Sequence, residues 1–390
     1  MDNRRWELDV LRGLMLVLMA LTHLPTHLAD AVGQPFGHVS AAEGFVLLSA
    51  WMTGRVYVRR AQRDGLPAMR RAFLHRAAVL YACHVALLLG LFAAALLMEG
   101  RRFHVELVHL AAWFLEEPAI ALPAGLALLY QPPLLDILPL YVLFMLASAP
   151  LLSFALREGW AGVLTASAGL WLLAQFGLGA ALHALLVQGL GLPVPHRASG
   201  PFSPLAWQGL WVLGLWLGAR GVVQPALVPR SFPRPVVLAA LLVATVGLAW
   251  RHALGQEPFP GQAGLNLLFS KWTLGPLRLL NLAALLVLAL HYGPRVSAAA
   301  PWLRLPVLET LGRAALPVFC AHVVLVVAAL ATVGKVWHHG WMADALLLAL
   351  GFPLLWAVAR ASEAGRGGRK RAGRVPAPPA VEPLRAGAPR

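Results

Sequence analysis

The first apolar stretch, ELDVLRGLMLVLMALTHLPTHLA, holds two side chains that are costly in hydrocarbon, Arg12 and His23. An ionisable group inside a membrane helix needs a partner or a task. The two stand 11 residues apart, close to three helical turns, so they share one face about 16 Å apart along the axis. Asp9 and His27 extend that face by steps of three and four residues. Histidine titrates near neutrality and can take a proton from a hydroxyl and return it, as a general base must. Arginine stays charged and suits phosphate or carboxylate.

Glu43, in SAAEGFVLLSAWMTG, is a carboxylate at the start of the next apolar run. Two readings stand side by side: a hydrogen bond that fixes the tautomer of His23, or a negative charge at a helix N-terminus. Asp136, Gln208, Lys271, Arg278, Arg313 and His322 lie near the ends of other apolar runs, and each alone reads as structural; His322, with Asp9, is kept as a supporting residue of the site. Trp113, Tyr130, Asp136 and Trp207, with Gln208 beside it, could contact a hydroxyl-rich ligand, which stacks on aromatic faces and bonds to polar side chains. Interfacial anchoring explains the aromatics equally well.

A metal site is not expected. His23 and His27 have the spacing of two ligands on one helix face, but no Glu stands between them and Pro25 interrupts the turn, while His338 and His339 fall in a connecting loop. Cys83 and Cys320 lie inside apolar runs without a C-x-x-C pattern. Cys320 as a covalent nucleophile would have only His322 to activate it.

The elements that must position these groups are membrane helices. The 390 residues are 59% hydrophobic and 13% charged, with a mean hydropathy of +0.69, too apolar for a water-soluble fold of this size. Stretches long enough to span hydrocarbon fall at about 8–28, 42–58, 77–97, 134–154, 161–187, 205–220, 235–252, 272–292, 307–329 and 342–360. The expectation is an all-α polytopic bundle of ten helices over residues 1–361, then a disordered basic Pro/Ala/Gly-rich tail over 362–390. The basic MDNRR and the apolar run after it resemble a signal peptide, but Arg12 and His23 argue for a retained helix. The longest outward connection, 98–133, holds an amphipathic stretch from Glu106 to Glu117.

Placing both termini in the cytoplasm of a bacterial inner membrane gathers 25 of the 32 lysines and arginines there, as the positive-inside rule favours. Arg12 then faces the cytoplasm and His23 the outer half. The net charge of +15 is spread between apolar runs, so nucleic acid is not an expected partner; membrane lipid is.

The segments ELDVLRGLMLVLMALTHL, VSAAEGFVLLSAWMTGRVY, LYQPPLLDILPLY, SPLAWQ, SKWTLGPLRLL and LGRAALPVFCAH, in this order, resemble the OpgC family, membrane proteins that succinylate osmoregulated periplasmic glucans. That family is similar to the acyltransferase-3 superfamily, whose first helix carries an Arg, ten residues and a His. The resemblance implies an acyltransferase-3-like fold, His23 as the catalytic histidine, and Arg12, Arg71 and Arg76 on an acyl-CoA donor. It implies acyl-CoA, most simply succinyl-CoA, as co-substrate, a periplasmic glucan as acceptor, with Asp136, Trp207 and Gln208, and Trp113 and Tyr130, as acceptor-side candidates, and no tightly bound cofactor. Two positions depart from the pattern: Ala50, where Gly is expected, and Ser203, where Asn is. The rival readings are a transporter or flippase for acyl or glycan groups, against which the lack of an internal repeat speaks, and a scaffold subunit of a glucan synthase.

Overall fold

The computed structural model describes residues 6–99, 105–225, 231–333 and 340–372. Among them the chain is helical, with a single isolated bridge between Phe36 and Val39 and no strand. The long helices are α1 (Trp6–His23), α2 (Ala41–Met98), α3 (Ile137–Glu158), α4 (Ala161–Gln175), α5 (Leu178–Leu190) and α6 (Pro204–Val223). They continue with α7 (Arg234–Leu254), α8 (Pro276–Ala299), α9 (Pro306–Arg313), α10 (Ala315–Thr332) and α11 (Trp341–Ala372).

Six described helices are long and apolar enough to cross a membrane, seven if α4 and α5, bent by 76° at their junction, form one span. The 58 residues of α2 would measure about 87 Å, nearly three times the hydrocarbon thickness. It contains two of the expected spans, folded at Gly65, whose φ of 82° and ψ of 166° break the helical ladder; Gly takes that conformation at no steric cost, and Pro67 restarts the helix. Helix α1 ends at His23, ahead of Pro25, rather than near residue 28. The expected run 307–329 is broken at Ala314 between α9 and α10, and α11 continues to Ala372, past the expected end near 360. The amphipathic stretch from Glu106 to Glu117 forms two short helices, Val105–Leu110 and Ala112–Glu116.

Leu238, Leu241, Leu242, Leu346 and Leu350 point outward, as residues facing lipid do. Inside, α1 lies against α9, α2 and α10, while α2 packs on α6 and α3. The α1–α9 crossing is backbone to backbone: a Cβ at Gly13 would sit 2.0 Å from the Leu308 carbonyl oxygen, and one at Gly312 1.8 Å from that of Asp9. Without a hydrophobic driving force in lipid, small residues let helices approach closely enough for packing to hold them. Ala50 is accommodated in the same manner, since its methyl fills the space a Cβ at Gly214 of α6 would need. At the Arg313 end of α9, Glu309 is bound by Arg304 and Arg313, and Arg313 reaches Glu363 of α11 at 3.4 Å.

Candidate active site

Helix α1 delivers His23 at its C-terminal turn, and the LPVFCAH run of α10 delivers His322 opposite it. Nδ1 of His23 lies 3.0 Å from Nε2 of His322, and the rings stack with centroids 5.3 Å apart. The second nitrogen of His322, Nδ1, is 2.8 Å from the Phe319 carbonyl. A carbonyl only accepts, so His322 Nδ1 carries a proton. With both rings neutral, His322 Nε2 then accepts, His23 Nδ1 donates, and the lone pair of His23 is on Nε2. His322 is buried and His23 half-buried, so the inner ring orients the outer one.

Arg12 lines a cavity of about 180 Å³ between α1, α2, α3 and α10. Arg76 lines it from the second half of α2, with Ser49, Tyr57 and Tyr141 as further polar walls. Phe319 lies in the same wall, so the residue whose carbonyl holds His322 also borders the arginine cavity. Arg71, five residues before Arg76, is exposed and outside this cavity, because that interval turns it to another side of the helix. Asp9 is fully buried where Gly312 crosses.

Glu43 does not hold His23; His322 does. Glu43 Oε2 accepts from the Ser40 backbone at 3.0 Å and from its hydroxyl, a capping box at the start of α2. Oε1 pairs with Arg278 of α8 at 2.6 Å, and both side chains are buried. The helix-start reading of Glu43 is therefore the one realised, with a buried ion pair added. Arg278 also donates to the Phe269 carbonyl at 2.9 Å.

Two acceptor-side candidates turn inward. Trp207 is fully buried and its indole donates to the carbonyls of Lys271 and Trp272, leaving no face for a sugar. Gln208 ties α6 to α4 through Ser167 on both ends of its amide, at 2.8 Å each. Asp136, just before α3, is half-buried and within electrostatic reach of Lys271. Tyr130 is buried, with Trp113 packed edge-on against it at 4.8 Å. Burial lowers the affinity of the Lys271 ammonium for its proton, against the pull of Glu43. Ser203 contributes its backbone N–H to the Trp272 carbonyl at 2.9 Å.

His27 does not join His23. Its Nδ1 is 2.8 Å from Asp344 of α11, and its ring stacks on Trp341 at 4.7 Å. Among the described residues no group of three His, Cys, Asp or Glu side chains is arranged to hold a metal ion; His338 and His339 lie outside the described residues. Cys83 and Cys320 are both free thiols and both half-buried. Sequence reasoning carried His322 as a supporting residue without making it the partner of His23, and passed over the pairing of Arg278, although both fall in the LGRAALPVFCAH and SKWTLGPLRLL segments.

A scan of family models matches the OpgC protein family over residues 4–366. No curated protein and no solved structure matches the chain. A match spanning nearly the whole sequence, with every segment that builds the histidine pair, the arginine cavity and the Glu43–Arg278 pair inside it, makes this chain a member of the OpgC family.

Proposed function

We propose that the chain transfers an acyl group, most simply succinyl, from acyl-CoA on the cytoplasmic side to a hydroxyl of an osmoregulated periplasmic glucan, with His23 as general base. Family membership gives the coarser part: a membrane protein with a role in glucan succinylation, an acyl-type transferase. The finer part rests on one observation, the directed chain from the Phe319 carbonyl through His322 to His23, which leaves a basic nitrogen at Nε2.

His23 Nε2 would take the proton of the sugar hydroxyl as its oxygen attacks the thioester carbonyl. The carbon–sulfur bond then breaks, and the CoA thiolate leaves with the proton that His23 gives back. His322 stabilises the imidazolium by accepting from Nδ1, and no covalent acyl-enzyme is needed. Arg12 and Arg76 would bind CoA phosphates where their cavity opens to the cytoplasm, charge-assisted contacts that arginine makes well. Phe319, shared by cavity and histidine chain, supports a path for the thioester arm between them. This orientation puts both termini in the cytoplasm of the inner membrane, consistent with the distribution of basic residues.

Purified full-length protein in detergent, given succinyl-CoA and glucan, tests the reading. CoA release with succinylated product is expected, and His23→Ala should lower its rate by about 10²–10⁴. Binding of the donor without turnover in the wild type would favour a carrier instead.

A further inference from the structure

The loop from Ser270 to Gly275 is held with unusual completeness. Four consecutive carbonyls accept side-chain donors from α4 and α6. Trp207 Nε1 reaches those of Lys271 and Trp272 at 3.2 Å each, Gln175 that of Thr273 at 2.7 Å, and Trp171 that of Leu274 at 3.0 Å. Leu274 is fully buried and held at a φ of +49°, a strained conformation for a branched side chain. Such strain persists only where the surroundings over-determine it, and it gathers at functional sites.

What this clamp fixes is Lys271. Its ammonium lies 5.6 Å from the centre of the Phe202 ring and 5.1 Å from that of Trp272, a position aromatic faces favour for a cation. Among the described residues no carboxylate comes within ion-pair distance of it. Glu43 and Asp136 attract it and Arg278 repels it from farther away, and Glu43 is committed to Arg278 and Ser40. Lys271 is also near enough to His23 for their charges to interact.

A half-buried cation in a membrane domain is costly, and neutral sugar hydroxyls compensate it less than an anion does. We propose that Lys271 receives the free carboxylate of the transferred acyl group, so that the site selects acyl groups ending in a carboxylate over neutral ones of equal length. The proposal rests on the transferase reading given above and assigns its donor specificity to one residue.

The test compares succinyl-CoA with butyryl-CoA, a four-carbon donor with a methyl in place of the carboxylate, using full-length protein in detergent and glucan acceptor. Wild type should prefer succinyl-CoA. Lys271→Met should lower kcat/KM for succinyl-CoA by about tenfold or more, the loss expected for a charged hydrogen bond, and leave butyryl-CoA within about twofold. Lys271→Arg should keep the preference. The ratio of donors is insensitive to the fraction of folded protein. Equal loss with both donors would mean a structural or oxyanion-binding role and overturn the proposal alone, as would a wild type that prefers neither donor. A wild type that transfers neither would overturn the transferase reading and this proposal with it.

Discussion

The two halves of the candidate site are held in place by different means. On one side, α1 meets α9 with glycines against backbone carbonyls, and His23 and His322 are positioned by helix packing. On the other, the loop carrying Lys271 has no regular structure, and indole and amide donors from neighbouring helices fix it through its carbonyls. Rigid helices suit a base whose proton must move along a set line. A loop clamped from two helices suits a binding group that no helix carries. The first arrangement fails through sterics, the second through loss of hydrogen bonds.

The sharpest way to break the helix-packed half is Gly312→Val. Its side chain has no room beside the Asp9 carbonyl, so α1 and α9 should separate and the protein should fail to accumulate as a monodisperse peak in detergent chromatography. Next comes the proton path: His23→Ala should reduce turnover by about 10²–10⁴ without loss of folded protein, the usual contribution of a general base. His322→Gln, whose amide oxygen can still accept from His23 Nδ1, should retain more activity than His322→Leu in the same assay. Glu43→Gln leaves Arg278 buried against a neutral partner, and removing one member of a buried pair costs about 3–5 kcal/mol. Lower thermal stability should follow, with activity at low temperature largely kept. Of the arginines, Arg76→Ala should raise KM for the CoA donor about tenfold, while Arg71→Ala, exposed and outside the cavity, should leave it within about twofold.

Much of the fold was legible in the sequence, because lipid imposes a length on every apolar run and charge sorts the loops. Each expected span coincides with a helix, part of one or a broken pair; the differences sit at Pro25, Gly65, the bend between α4 and α5, and Ala314, where the apolar character of a run says nothing about its bends. The site was half legible. Arg12 and His23 stood out as ionisable groups on one apolar helix. Glu43 looked like a partner for His23 because both were expected near the same end of the bundle, but sequence distance does not say which of several helices turns toward which. His322 read as a supporting residue rather than as the direct partner of His23 for the same reason. Trp207 looked like a sugar platform because an aromatic near a helix end has either fate, and only burial distinguishes them.

The central claim is that His23 removes the proton of the acceptor hydroxyl. Mass spectrometry of periplasmic glucans, from a strain lacking this protein and complemented with wild type, His23→Ala or Arg71→Ala, tests it most directly. Succinyl groups should return with wild type and Arg71→Ala and stay absent with His23→Ala at equal membrane abundance. Full restoration by His23→Ala would contradict the account and leave the histidine pair a packing feature of the bundle.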